Sequence, residues 1–392
     1  MIEKKLKAYC TYKRCIQILI NICGCTYMPT KFNKLSYFWS ILVIILMMSF
    51  VILDLKVCYK LIHDLVMLLH VFTLGVSLFT SALKVMIVLF NRNYIRQYHQ
   101  MLDNLFEEEL ARNDLIRTVM LSSLRKIYTL AYMYYTFQAG IYLSYYLPPC
   151  LIIIRDLLHF RLTTSYSLPC KPLYFWTIPD NFLYHFHLMY EMSATVISCV
   201  VASSIDTMFG FWIYQIASTM DAMTYMLTNP PSTEKYSDII KMCVIKHQKL
   251  MQCCDMLGHM YGKIIFWHII SNAVLLCALM FEASTFTEFT VSNVSMFTTF
   301  VTIKLIQSFI YAWHGTVLTN ASENFRIGIY FGKWLNSSLN SHMRTNIVMM
   351  LMQKSLTITA VFSSVDVVMF TNLVNTALSY FFLVRSVSNK ED

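Results

Sequence analysis

Long apolar stretches alternate with shorter polar segments along the whole chain. A helix that spans a membrane needs about 20 mostly apolar residues, and seven stretches have roughly that length or more. The first stretch is longer than the apolar core of a signal peptide and has no small-residue cleavage site, so we expect it to remain as a helix. The pattern predicts an all-α membrane protein with seven transmembrane helices. They cover residues 35–53, 65–90, 127–154, 182–217, 264–281, 289–320 and 355–384.

Composition supports a lipid bilayer as the surroundings of this apolar surface. Apolar residues make up 57% of the 392 residues and charged residues only 14%, against roughly 45–50% and about 25% in soluble domains. The net charge of +9 lies in short clusters between the apolar stretches. No basic stripe with stacking aromatic residues, which is typical of nucleic-acid binding, is present. We therefore expect contact with lipid and no nucleic-acid partner.

Lys and Arg are distributed unevenly over the segments between the apolar stretches. Segments 1–34, 91–126, 218–263 and 321–354 carry 22 of them, whereas the four alternate segments carry 7. Because positively charged loops stay in the cytoplasm, this bias predicts a cytoplasmic N-terminus and, after seven spans, an extracellular C-terminus. That orientation is opposite to a G-protein-coupled receptor. Neither Asp-Arg-Tyr after the third stretch nor Asn-Pro-x-x-Tyr in the seventh is present, which also argues against that class.

The segments predicted to be cytoplasmic repeat apolar residues at helical spacing. We expect loops 91–126 and 218–263 and segment 321–354 to form helices that pack together below the membrane. Peripheral helices on the bilayer surface are the alternative, and this alternative suits the basic, amphipathic N-terminal segment better. The predicted organisation is listed in chain order: N-terminal amphipathic segment 1–34, six-helix bundle 35–320 with extracellular loop 155–181, anchor helix 321–354, seventh helix 355–384 and extracellular tail 385–392.

The sequence offers little catalytic chemistry. Its glycines fit no phosphate-binding loop, its 12 cysteines fit no zinc site, and no nucleophile has a recognisable motif. His185 and His187 with Glu191 resemble half of a metal site, but polar residues at a helix end are the simpler interpretation. We therefore predict a protein that is not an enzyme and holds no cofactor or metal. Cys150 and Cys170, placed outside by the topology, form a candidate disulfide whose pairing the sequence leaves open.

Five ionisable residues within the apolar stretches are functional candidates, because charge inside a membrane is costly. They are Lys84, Glu191, Asp206, Lys304 and Asp366. We expect Lys84 and Asp206, near the cytoplasmic helix ends, each to extend to the membrane interface or to find a partner there. Lys304 and Asp366 lie deeper and suggest a water-accessible vestibule.

The C-terminal third resembles the insect odorant receptor family. The resemblance rests on Tyr330-Phe331-Gly332-Lys333-Trp334, Arg344, Met349-Met350, Leu356-Thr357-Ile358-Thr359-Ala360 and the closing Phe370-x3-Val374-x3-Leu378-Ser379-Tyr380-Phe381. Two departures occur, since Val361-Phe362 stand where members often have Gly-Lys, and Lys354-Ser355 stand where they often have Arg-Ala.

The resemblance implies the tuning subunit of an odorant-gated, non-selective cation channel, a heterotetramer with the odorant receptor co-receptor. It implies a cytoplasmic subunit anchor that includes Tyr330 and Trp334, and a pore lined by the seventh helix at Leu383, Ser386 and Val387. It also implies a multi-pass protein of the plasma membrane, in the dendrite of a sensory neuron.

The same resemblance places a ligand site in the outer halves of the second, third, fourth and sixth helices. Apolar and aromatic residues with a few hydroxyls suit a small, volatile, hydrophobic ligand. The candidates are His70, Thr73, Phe137, Ile141, Tyr142, Tyr145, Tyr190, Ala194, Met296 and Phe300. Ordinary helix packing is the alternative for each residue. A gustatory receptor remains an alternative function, although its Thr-Tyr-x5-Gln-Phe signature is missing from the seventh stretch, and a transporter is a third.

Overall fold

The chain is helical almost throughout, which confirms the predicted all-α membrane fold. A computed structural model describes residues 2–27, 33–62, 65–158, 183–231, 234–284, 291–336 and 340–391. Its helices are α1 (Ile2–Ile22), α2 (Asn33–Lys60), α3 (Leu65–Phe90), α4 (Arg92–Leu110), α5 (Asp114–Met120), α6 (Leu124–Leu158), α7 (Leu183–Thr228), α8 (Tyr236–Ser284), α9 (Val291–Tyr330), α10 (Ser341–Met352) and α11 (Val367–Glu391). A short 3-10 turn (Lys333–Asn336) and an antiparallel pair of strands, β1 (Thr359–Ala360) and β2 (Ser363–Ser364), lie between α9 and α11.

Each of the seven predicted apolar stretches contributes to a helix, namely α2, α3, α6, α7, α8, α9 and α11. Four of the described helices, within α2, α3, α7 and α8, are long and apolar enough to cross a membrane by those two properties alone. A fifth candidate consists of Asp114–Ser144 and Tyr146–Arg155, which meet at a bend of 46°. Pro148 explains the bend, because its ring clashes with the carbonyl four residues earlier, at Ser144.

Helix α7 is the centre of the molecule. Every residue from 201 to 220 is buried, including the large side chains of Phe209, Trp212 and Tyr214. A helix that is surrounded on all sides needs apolar or internally bonded residues all round, and α7 meets this requirement with contacts to α1, α3, α4, α5, α6, α8 and α9. By contrast, Leu35, Ile45 and Leu55 of α2 point outward, as side chains that face lipid do.

Helix α1 packs inside the molecule, which corrects the expected position on the bilayer surface. Tyr9, Tyr12, Ile16 and Ile20 are buried, and the Tyr9 ring stacks on Phe106 of α4 at 5.1 Å and on Phe211 of α7 at 5.7 Å. The bundle itself therefore covers the apolar face of this amphipathic helix. Its basic face remains tied to the protein, because the Lys13 ammonium lies 2.8 Å from the Asp103 carboxylate of α4.

The end of the chain differs from the predicted pair of continuous helices, 321–354 and 355–384. Helix α9 continues to Tyr330, α10 is separate, and the strands occupy residues that the apolar pattern assigned to the seventh helix. Helix α11 starts only at Val367, where the Asp366 carboxylate accepts the backbone N–H of Met369 at 2.8 Å. Asp366 is thus a helix cap, and its place beside a vestibule stays a prediction.

Candidate functional site

A cavity of about 80 Å³ lies among five helices, α3, α6, α7, α8 and α9. Its apolar wall is formed by Leu74, Leu78, Ile141, Ala202, Phe300 and Ile303. Its polar wall includes hydroxyl, amide and imidazole groups together with two lysines, Lys84 and Lys304. An apolar enclosure with a few polar groups is the usual architecture of a small-molecule site.

Asp206 of α7 organises one end of this cavity. Its Oδ1 lies 2.5 Å from the Lys84 ammonium and also accepts the hydroxyl of Tyr311. Its Oδ2 accepts the Tyr134 hydroxyl at 2.9 Å and the Gln307 side-chain amide at 3.1 Å. Lys84 and Asp206 are almost completely buried, so they pair with each other inside the bundle and not at the membrane interface, where the sequence placed them. Four donors from α3, α6 and α9 meet the requirement that a buried charge be both paired and hydrogen-bonded.

Lys304 of α9 lies at another part of the wall, facing α3. Its ammonium donates to the Ser77 hydroxyl at 2.9 Å, and Ser77 donates in turn to the backbone carbonyl of Thr73 at 2.8 Å. The Asn272 amide, from α8, donates to the Ser308 hydroxyl at 2.8 Å and lies 2.8 Å from the His268 ring. The cavity is therefore bordered by positively charged and neutral polar groups.

Two of the ten predicted ligand residues, Ile141 and Phe300, line this cavity. Phe137 packs in the adjoining cluster around Tyr134, and Thr73 lies one turn from the cavity residue Ser77 on α3.

Tyr142, Tyr190 and Ala194 belong to a second cluster on the α2 side, where Tyr190 stacks on Phe50 at 5.8 Å. The side chains of three other candidates, His70, Tyr145 and Met296, lie outside the described residues.

Most polar residues of the cavity wall were not predicted as ligand residues. Gln138, His268, Asn272 and Gln307 all interrupt apolar stretches, and such interruptions were the available signal. The predicted ligand residues are mostly aromatic or apolar and lie at the outer helix ends, whereas the cavity is lined by polar residues deeper in the bundle. Lys84, Asp206 and Lys304 were identified as functional candidates without being connected to one another.

The residues predicted for the pore and for the subunit anchor are not among those that line the cavity. Leu383 and Ser386 of α11 are exposed, and the Val387 side chain is outside the described residues. Tyr330 is exposed, whereas Trp334 is half-buried and donates its indole N–H to the Ile329 carbonyl at 2.9 Å.

Two further predictions concern the candidate disulfide and the metal-site pattern of His185, His187 and Glu191. Cys150 is half-buried on α6, and Cys170 lies outside the described residues, so their pairing stays a prediction. Within the described ranges, no group of three or more His, Cys, Asp or Glu side chains is placed to hold a metal.

Comparison with known families gives a match over most of the chain. The family model described as 7tm Odorant receptor matches residues 64–378. Odorant receptor 9a of Drosophila melanogaster is 22% identical over 223 residues, which are 56% of each chain. Odorant receptor 47a of the same species is 25% identical over 232 residues, which are 57% of this chain and 59% of the relative. The chain thus spans somewhat more than half the length of these curated relatives.

Solved structures show the same fold over nearly the full length. The insect olfactory receptor OR5 from Machilis hrabei superposes with a TM-score of 0.78 over 96% of this chain and 98% of its own, at 15% sequence identity. The structure of that receptor in complex with eugenol superposes with a TM-score of 0.74 at 16% identity and the same coverage.

Proposed function

The chain belongs to the 7tm odorant receptor family, and on this premise we propose that it is the odorant-binding subunit of a heteromeric, odorant-gated, non-selective cation channel. The other subunit is the odorant receptor co-receptor, and the complex lies in the plasma membrane of a sensory neuron. The family and its fold are those of receptors rather than enzymes. The observation that carries the proposal is the enclosed cavity between α3, α6, α7, α8 and α9.

The cavity is proposed as the odorant site. A relative with the same fold forms a complex with eugenol, which is a small molecule. A ligand in the cavity of this chain would contact Leu78, Phe300 and Ile303 through its apolar part. These contacts would stabilise the complex by removing apolar surface from water, at roughly 25 cal/mol per Å².

The pore is proposed to run along α11. One face of α11 is buried against the bundle through Met369, Leu373 and Ala377, while Leu383 and Ser386 are exposed in the single chain. In a tetramer, one such helix from each subunit can surround the symmetry axis. This arrangement would give the uncovered face of α11 partners from the neighbouring subunits.

The anchor between subunits is proposed to involve Tyr330 more directly than Trp334. The exposed fractions of Tyr330 and its neighbour Phe331 are 63% and 72%, and exposed aromatic side chains are frequent at interfaces. The Trp334 ring instead packs against the core of its own chain. Replacing Trp334 would therefore disturb the subunit itself, whereas Tyr330→Ala should reduce co-purification with the co-receptor while leaving the subunit folded.

A pair of cavity-filling substitutions tests the odorant site. Ala202 is buried and lines the cavity, whereas Ala139 on α6 is exposed. The chain would be co-expressed with the co-receptor, and currents would be recorded across a panel of odorants. We expect Ala202→Phe to abolish or strongly reduce every odorant response, because the new ring fills the cavity, and Ala139→Phe to leave them intact. Normal odorant responses in a surface-expressed Ala202→Phe channel would contradict the assignment.

Two further measurements address the pore and the disulfide. Replacing Leu383 and Ser386 should change ion selectivity or sensitivity to blockers, with the rank order of odorants preserved. Altered odorant preference with unchanged permeation would instead remove α11 from the pore. For Cys150 and Cys170, the protein would be alkylated with and without prior reduction. Two additional alkyl groups on the peptides that contain these cysteines after reduction would reveal the bond, and equal alkylation in both samples would exclude it.

A further inference from the structure

We propose that the ligand of this cavity is a short-chain carboxylic acid whose carboxylate binds the ammonium of Lys304 beside Ser77. The inference rests on the proposed role of the cavity as the odorant site and adds the chemical class of the odorant. Three observations support it. Lys304 has no carboxylate partner among the described residues, Asp206 already binds other groups, and the cavity has separate polar and apolar walls.

The charges around the cavity do not balance. The described lining contains two lysines, Lys84 and Lys304, and no Asp or Glu. Lys84 is compensated by Asp206 directly behind the wall, at 2.5 Å. Lys304 is only 8% exposed, yet its ammonium has a neutral partner, the Ser77 hydroxyl. No carboxylate of the described residues forms an ion pair with it at 4.0 Å or less.

Asp206 has little capacity left to serve a second lysine. A carboxylate offers about four lone-pair positions, and Asp206 accepts from Lys84, Tyr134, Gln307 and Tyr311. A buried charge without a counter-charge is unfavourable. An anionic ligand would supply the missing charge, and its oxygen would form a charge-assisted hydrogen bond with the ammonium.

The rest of the wall defines the remainder of the molecule. The polar wall around Lys304 also contains the Ser77 hydroxyl and the Asn272 amide. Because Ser77 donates to the Thr73 carbonyl and Asn272 donates to Ser308, the Lys304 ammonium is the donor that a carboxylate would use. Leu74, Leu78 and Phe300 provide an apolar surface for an aliphatic chain. The volume of about 80 Å³ is smaller than the roughly 150 Å³ of an engineered cavity that binds benzene. A short aliphatic chain therefore fits better than a large ring system.

Three compounds with the same number of carbons separate charge from size. The full-length chain, purified in detergent, would be titrated with propanoate, propan-1-ol and propylammonium while tryptophan fluorescence is recorded. Trp267 donates its indole N–H to the cavity residue Thr80 at 3.0 Å, so its emission should respond to occupancy. We expect propanoate to bind about tenfold or more tighter than propan-1-ol, the ratio typical of one hydrogen bond to a charged group, and propylammonium to bind most weakly.

Substitutions of the lysine complete the test. Lys304→Met keeps a long, unbranched side chain without the charge, and it should remove the preference for propanoate while leaving propan-1-ol binding within about twofold of native, because the apolar wall is retained. Lys241→Met, which removes an exposed lysine from α8, is the matched control and should keep the preference. If Lys304→Met does not fold, Lys304→Gln, which is neutral but polar, replaces it and should also remove the preference.

The possible outcomes distinguish this inference from the proposed function. Equal binding of propanoate and propan-1-ol by the native chain, or an unchanged preference in the neutral Lys304 variant, would overturn the acid assignment and leave the cavity as an odorant site. Absence of binding for all three compounds would count against the cavity as well. Binding without odorant-evoked current in cells that contain the co-receptor would uphold the acid assignment and contradict only the channel role.

Discussion

At the scale of single residues, the buried Lys84–Asp206 pair connects α3 to α7 and supports one prediction. Lys84→Met should lower the free energy of unfolding by about 3–5 kcal/mol, because it leaves a buried carboxylate without its counter-charge. Combining it with Asp206→Leu should recover part of this loss. Thermal unfolding in detergent measures both effects. Lys241→Met, which breaks the exposed pair with Asp238, is the control and should change little; an equally small effect of Lys84→Met would contradict the prediction.

His99 of α4 supports a second prediction at this scale, outside the membrane-spanning helices. Burial lowers the pKa of His99 below its ordinary value of 6.5, and its Nδ1 accepts the indole N–H of Trp212 at 3.4 Å. Because the unfolded chain then binds a proton more readily than the folded one, this residue favours folding above about pH 6.5 and opposes it as the pH falls below that value.

The pH dependence of unfolding tests this assignment. His99→Asn keeps an acceptor for Trp212 and removes the titrating ring, so stability should fall less between pH 6.5 and 5 than in the native chain. His342→Asn, at an exposed position on α10, should retain the native slope. An unchanged slope in His99→Asn would show that other groups cause the acid sensitivity.

At the scale of the elements, the close approach of α9 to the start of α11 depends on Gly315. A Cβ at this position would collide with the backbone carbonyl of Val365, and the neighbouring Thr316 hydroxyl accepts the N–H of Val367 at 3.1 Å. We expect Gly315→Ala to destabilise the protein by about 1–3 kcal/mol through overpacking, and to weaken the docking of β1 and β2. Hydrogen exchange over residues 356–370 would detect the weakened docking.

A second helical glycine provides the control for Gly315. Among the described residues, no side chain and no other segment lies within 4 Å of the position that a Cβ of residue 258 would take. Gly258→Ala should therefore be neutral or stabilising by up to about 1 kcal/mol through helix propensity alone. Equal effects of the two substitutions would show that the approach of α9 to Val365 is not tight.

At the scale of the whole molecule, the prediction concerns orientation in the membrane. The excess of Lys and Arg in alternate segments, 22 against 7, favours a cytoplasmic N-terminus and an extracellular C-terminus. An epitope tag at the C-terminus should therefore be stained on intact cells, and a tag at the N-terminus only after permeabilisation. Surface staining of the N-terminal tag alone would show that the orientation is the opposite one, and it would not affect the conclusion about the fold.

The sequence by itself determined the fold class and the approximate positions of the helices. An apolar stretch such as 35–53 can be recognised from neighbouring residues alone. Inside a bilayer such a stretch forms a helix, because a helix pairs all backbone N–H and C=O groups within the segment itself. The motifs of the C-terminal third, from Tyr330 to Phe381, together also indicated the family, which the match over residues 64–378 confirms.

Only the tertiary structure decided which residues line the cavity and which conformation the chain adopts just before α11. Lys84 and Asp206 are separated by about 120 residues in the chain, and Asp206 and Lys304 by about 100. No local pattern indicates which of the two lysines pairs with the carboxylate. Val361 adopts a φ of 57° because it lies in the two-residue turn between β1 and β2. Hydrogen bonds from Leu356 to Ser322 and from Val367 to Thr316 hold the two ends of this segment on α9. Both features depend on contacts between distant segments, and such contacts form only when the helices have packed.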